Sequence, residues 1–101
     1  ENIPVLIENV LSMALKESVT NIIKHSNATE CMIILSESEQ DIFLKISDNG
    51  TGKASFNYGN GLQGMKERLE FVNGESHIHS SDSGFEVNVS VPKILRQVEE
   101  G

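Results

Sequence analysis

Asp41-Ile42-Phe43-Leu44-Lys45-Ile46-Ser47-Asp48-Asn49-Gly50-Thr51-Gly52 is a β-patterned run that stops on a carboxylate and two closely spaced glycines. A strand of this kind delivers Asp48 to a fixed point at its end. Gly50 and Gly52 then let the backbone turn sharply, or let a ligand approach where a Cβ would collide. The ligand such a corner suits is flat and carries a donor group. Asp-Asn-Gly by itself also makes an ordinary turn, because Asn and Asp tolerate positive φ and bond their own backbone. The run therefore takes its meaning from its neighbours.

Upstream, Pro4 suits the first turn of a helix, and apolar residues recur at Leu6, Val10, Leu11, Ala14, Leu15, Val19, Ile22 and Ile23. This predicts a long helix to about His25, apolar around most of its first half and so largely buried. Glu30 to Ser36 and Asp41 to Ser47 read as two strands joined in a hairpin by the polar Glu37-Ser38-Glu39-Gln40. Downstream, Thr51 to Asn60 is small, polar and irregular, which predicts a mobile loop. Gly61 to Val72 is a second helix with Leu62, Met65, Leu69 and Val72 on one face, stopped by Asn73-Gly74. Glu75 to Ser80 and Phe85 to Val91 alternate as strands around the turn Ser81-Asp82-Ser83-Gly84. Pro92 ends the last strand, and 93–101 is a charged tail. The order α, β, β, loop, α, β, β predicts an α+β two-layer sandwich, its sheet covered by helices on one face.

Composition narrows the function. The chain of 101 residues is 38% hydrophobic, enough for one domain, here 1–92, around one core. A net charge of -7 with scattered basic residues argues against direct nucleic-acid binding, which needs clustered Lys and Arg. The lone Cys31 sits in an apolar run, where a free thiol is expected to be a small buried hydrophobe, and such cysteine usage fits a reducing compartment. No stretch approaches membrane-spanning length, so no membrane contact is expected of this chain. It opens mid-stream on Glu-Asn-Ile-Pro without an initiator Met, as a domain of something longer would.

Two further constellations carry chemistry. Glu17 and Asn21 are four apart on the first helix, with Lys24 and His25 one turn on, where Val10, Met13 and Ala14 had marked an apolar stripe. One reading is a helix end emerging into solvent. The other is a divalent-cation site, since Mg²⁺ takes few protein oxygens and completes its shell with water and phosphates. In it the Asn21 amide oxygen is a direct ligand and Glu17 acts through water. Gly59-Asn60-Gly61-Leu62-Gln63-Gly64 has the spacing of a dinucleotide-binding turn, but neither the buried parallel strand nor the distant acid of that unit accompanies it. What remains is a glycine-rich helix start that presents backbone N–H groups to an anion, or a plain flexible loop. His77 and His79 alternate on one strand face and are expected to be exposed, and Arg68 is either a surface ion-pair partner or a phosphate contact.

In order along the chain, Glu17-Ser18-Val19-Thr20-Asn21-Ile22-Ile23-Lys24-His25-Ser26, Asp48-Asn49-Gly50-Thr51-Gly52 and Gly59-Asn60-Gly61-Leu62-Gln63-Gly64-Met65-Lys66-Glu67-Arg68-Leu69 resemble three boxes. They are similar to the N, G1 and G2 boxes of the ATP-binding domain of sensor histidine kinases in the GHKL superfamily, most of all the DesK/NarX type. The likeness runs from about Pro4 to Pro92.

The resemblance implies a Bergerat-type α/β sandwich with a mixed, mostly antiparallel sheet. It implies ATP and Mg²⁺ as cofactors, with Asn21 holding the metal and Glu17 beside it as the catalytic residue, either base or holder of a metal-bound water. Asp48 would accept the adenine amino group, Gly50 and Gly52 would let the ring sit close, and Lys24 and His25 would face phosphates. The stretch 53–60 would be a short lid, with Gly59, Gly61, Leu62 and Gly64 at its hinge and phosphate-binding end. Implied partners are a helical dimerisation and phosphoacceptor domain of the same parent and, through it, a response regulator, in the cytoplasm. The Gly-Thr common in the family before the last strand is Gly84-Phe85 here. The alternative is a GHKL serine kinase of the anti-sigma type that binds a transcription factor.

Overall fold

The computed structural model describes residues 3–25, 27–50, 59–81 and 84–94. Its elements are α1 (Val5–His25), β1 (Cys31–Glu37), β2 (Asp41–Asp48), α2 (Gly59–Phe71), β3 (Glu75–Ser81) and β4 (Gly84–Pro92). The strands form one sheet in the order β1-β2-β4-β3. All three described pairings are antiparallel.

Alternation on the two central strands builds the core. Ile42, Leu44 and Ile46 of β2 and Phe85, Val87, Val89 and Val91 of β4 are buried on one face, under α1 and α2. The helices answer with Ile7, Val10, Ala14 and Ile22 from α1 and Met65, Leu69 and Val72 from α2, at helical spacing. Two small polar residues, Ser18 and Asn21, continue the buried stripe of α1. Ser18 Oγ donates to Met65 Sδ at 3.9 Å, across the contact between the helices.

The opposite face of the sheet is open, and His77 and His79 stand exposed on it. Asn73, at φ 62°, closes α2 in the left-handed region that Asn tolerates, and the Gly74 N–H returns to the Leu69 carbonyl at 2.7 Å.

Two expectations of burial fail, for one reason. α1 is not enclosed over its first half, since Val5 is 69% and Leu6 47% exposed, and Cys31 is exposed with every other residue of β1. α1 packs over β2, β4 and α2, which leaves β1 as an uncovered edge. α2 also begins at Gly59, two residues before the expected Gly61; the first helical turn has no intrahelical N–H bonds to satisfy and tolerates glycine there.

The register fixes which groups share an end of the molecule. Cys31 lies opposite Asp48, and Ser47 opposite Glu86, so the start of β1, the end of β2 and the start of β4 coincide. The loop after α1 brings that helix's C-terminus to the same end. β3 starts opposite Ser90, so the C-terminus of α2 lies at the far end and its N-terminus at the near one. At the far end Lys93 N–H donates to the Gln40 carbonyl at 2.9 Å and Lys93 Nζ meets Glu37 at 2.6 Å. The amine holds the Glu37 carboxyl below its ordinary range, by hydrogen bond first and charge second.

Candidate nucleotide site

Of the polar residues singled out in sequence, Asp48, Asn21 and Glu17 lie toward the near end of the sandwich, whereas Arg68, in the last turn of α2, lies toward the far one. Asp48 ends β2 with its carboxylate turned back on its own turn. Oδ1 accepts from the Gly50 N–H at 2.7 Å, an Asx-type contact, and from the Phe85 N–H of β4 at 3.3 Å. Oδ2 is buried and has no hydrogen-bond partner among the described residues. A buried carboxylate oxygen without a donor costs on the order of 1–3 kcal/mol or more. Oδ2 is thus an acceptor that the described residues leave open.

Gly84, which sequence reading placed in a turn and at the Gly-Thr position of the resembling family, is part of this corner. Its φ is +146°, and a Cβ there would stand 2.2 Å from the Asp48 carbonyl oxygen. Only a residue without a side chain lets β4 start this close to the end of β2, which is what brings the Phe85 N–H onto Asp48. Phe85, in the place of the family's Thr, is buried in the core and serves Asp48 through its backbone.

Asn49 is the second residue that sequence reading passed over. Its Oδ1 accepts from the N–H groups of Thr29 and Glu30, both at 3.0 Å, and its Nδ2 donates to Thr29 Oγ1 at 3.0 Å. The side chain pins the loop that leaves α1 to the residue after Asp48. The only sequence signal was an Asx residue beside a glycine, which is shared by any turn.

On α1, Asn21 is 6% exposed and donates through Nδ2 to Glu17 Oε2 at 2.9 Å and to the Glu17 carbonyl at 2.8 Å. The spacing of four residues puts the two side chains one above the other. With Nδ2 committed to Glu17, the polar atom left on Asn21 is Oδ1, a hard oxygen of the kind Mg²⁺ takes. Among the described residues no three His, Cys, Asp or Glu gather as a metal cage. The donor set fits a cation that brings most of its own ligands. Glu17 is half-buried, and Lys24 is exposed a turn further on.

The α2 N-terminus contributes the glycine-rich turn. Gly59, Gly61 and Leu62 lie in its first turn, and Gly64 follows. Around an ideal Cβ at Gly64 there is no atom within 4 Å, so among the described residues nothing requires glycine there. Gly52, the stretch 53–58, the tail beyond residue 94 and the side chains of His25 and Leu62 lie outside the described residues.

A profile of the family described as histidine kinase-, DNA gyrase B-, and HSP90-like ATPase matches residues 7–95. Sensor histidine kinase DesK of Bacillus subtilis (strain 168) is 45% identical over 95 residues, which are 91% of this chain and 25% of that protein. Sensor histidine kinase YvfT of the same strain is 40% identical over 88% of this chain and 24% of its own length. The chain thus spans about a quarter of the curated relatives it matches. Among solved structures, the blue-light activated histidine kinase of Erythrobacter litoralis EL346 superposes with a TM-score of 0.78 at 19% identity, over 90% of this chain and 32% of that one. Acinetobacter baumannii histidine kinase AdeS superposes at 0.71 and 20% identity, over 84% and 46%. No helix among the described residues is long and apolar enough to cross a membrane. Nothing in these matches favours the anti-sigma alternative. From the match over residues 7–95, the chain belongs to the histidine kinase-, DNA gyrase B- and HSP90-like ATPase family and is a histidine kinase ATPase domain.

Proposed function

We propose that this domain binds ATP at the near end of the sandwich and supplies its γ-phosphate to a histidine on a helical dimerisation domain of a longer cytoplasmic parent, a response regulator then taking the phosphoryl group. The observation that carries the site assignment is the buried, unpartnered Oδ2 of Asp48. An adenine amino group is a flat donor of the right kind, and Gly50, held on Oδ1, keeps the approach narrow. The backbone N–H groups at the start of α2, at Gly61 and Leu62, and the N-terminal end of the α2 dipole favour phosphate, with Lys24 and His25 alongside. Asn21, locked in orientation by Glu17, offers Oδ1 to Mg²⁺, and the ion when bound neutralises phosphate charge. Glu17 holds Asn21 and, being half-buried rather than enclosed, can reach a group arriving from outside. The stretch 53–60 serves as the lid, with Gly59, Gly61 and Gly64 at its hinge and phosphate-binding end. The histidine that accepts the phosphoryl group belongs to another domain, because in-line transfer needs a nucleophile beyond the γ-phosphate on the open side.

Calorimetry with ATP and ITP tests the base assignment. ITP presents a carbonyl where ATP presents the amino group, so it turns an acceptor toward Oδ2. A charge-assisted bond is worth about 1.5–3 kcal/mol, or roughly ten- to a hundredfold in affinity, and ITP should bind weaker by at least that. In Asp48→Asn the preference for ATP over ITP should vanish. Equal binding of the two nucleotides by the wild type would remove Asp48 from base recognition.

A further inference from the structure

The turn after β2 is held more firmly than a turn requires. Cys31–Asp48 is the last pair of β1 and β2 at this end, so strand pairing stops at the residue that offers Oδ2. Just beyond it, Asn49 is exposed and yet makes four hydrogen bonds to Thr29 and Glu30. Its N–H donates to the Glu30 carbonyl at 3.3 Å, in addition to the three bonds of its side chain. An Asx side chain in a turn ordinarily bonds backbone one or two residues away. This one reaches 20 residues back to Thr29 and 19 to Glu30. The two N–H groups also fix which way round the amide sits, because a flipped side chain would set Nδ2 against two other donors.

We propose that Asn49 is a positioning residue for base recognition: by tying the turn after β2 to the start of β1, it holds the Gly50 N–H on Asp48 Oδ1 and so keeps Oδ2 aimed at the ligand. This rests on the assignment of Asp48 to the adenine amino group. The chain of contacts is short. Asn49 stands between the two residues concerned, and its backbone torsions decide whether the Gly50 N–H points back at Oδ1, 2.7 Å away. Gly50 is buried and, as glycine, has no side chain to restrain that peptide from turning. With the Asn49 side chain cut away, the peptide swings out, and among the described residues only the longer Phe85 N–H bond, at 3.3 Å, is left to orient the carboxylate. The cost of ordering the carboxylate then falls on binding.

Hydrogen exchange at the Gly50 amide, followed by NMR without nucleotide, reads the turn directly. Asn49→Ala should speed it at least about tenfold while amides in the middle of β2 and β4 keep their rates. Asn49→Asp should keep it slow, since a carboxylate accepts from the same two N–H groups and Thr29 Oγ1 can donate to it. Calorimetry then gives the preference for ATP over ITP. Asn49→Ala should narrow it by at least about fivefold and Asn49→Asp should leave it within about twofold of wild type. The preference is a ratio within one protein, so a general loss of affinity or an added charge cancels from it. Should Asn49→Ala not fold, Thr29→Val removes only the acceptor of Nδ2 and should speed Gly50 exchange about two- to tenfold. An unchanged Gly50 rate in the variant that folds, or a full preference for ATP in Asn49→Ala, overturns the proposal and leaves the Asp48 assignment standing. Equal binding of ATP and ITP by the wild type overturns both.

Discussion

Gly64→Ala separates a residue that the fold needs from one that only a ligand needs. Gly64 is inside α2, and an ideal Cβ there has no neighbour within 4 Å. In the free protein the added methyl meets nothing among the described residues, while a helix interior prefers Ala to Gly by about 1 kcal/mol. For a domain of this size that raises the melting temperature by roughly 4–8 °C. The bound state reverses the sign. If phosphates approach the backbone at Gly64, the methyl stands in their path, and overpacking of this kind costs about 1–3 kcal/mol, roughly five- to a hundredfold or somewhat more in affinity. Thermal unfolding without nucleotide and calorimetry with Mg-ATP measure the two halves. The expected result is a more stable protein that binds ATP more weakly. A variant that melts higher and binds ATP as tightly as wild type would show that phosphate does not approach Gly64, and one that melts lower would show that the empty space around it had been misjudged.

Gly84→Ala should give the other pattern, since its Cβ would meet the Asp48 carbonyl at 2.2 Å and its φ of +146° strains any L-residue. Denaturant unfolding should register a loss of about 1–3 kcal/mol or more, together with weaker ATP binding; full stability would mean that β4 can start elsewhere. Asn21→Ala removes the amide oxygen facing the proposed cation but touches nothing at Asp48, so titration should show reduced affinity for Mg-ATP with adenosine binding unchanged. Parallel losses for both ligands would mean that α1 had been damaged instead.

The elements themselves were legible because their signals are local. Pro4 and the helical spacing that follows gave α1, alternation gave β2 and β4, and Asn73-Gly74 gave the end of α2. The break in the apolar stripe at Glu17 and Asn21 was legible too, and in the structure Asn21 is a buried amide bonded to Glu17. What stayed hidden depends on distant partners. That Gly84 must lack a side chain follows from the Asp48 carbonyl, 36 residues away in the chain, and nothing near Gly84 announces it. Asn49 works through Thr29 and Glu30 and looks in isolation like any turn residue. Cys31 and its neighbours have the composition of a buried strand, but exposure depends on where α1 lies across the sheet, which periodicity along α1 does not encode.

The far end of the sandwich also has a mechanical meaning. Ile3 lines a groove that Leu35 and Glu37 also line, and Lys93 is fastened to Gln40 and Glu37, so the first and last described residues lie toward one end while Asp48 and Asn21 occupy the other. The 21 residues of α1 span about 32 Å between them. Were a parent protein to hold the domain only at that end, the domain would be an arm hinged at the shoulder. A rotation of about 20° at the attachment sweeps the nucleotide through an arc of roughly 10 Å over that radius. Such a rotation would shift the Asp48 corner by that arc without disturbing any contact within the domain. Control over transfer can reside entirely in the joint, while the arm stays rigid.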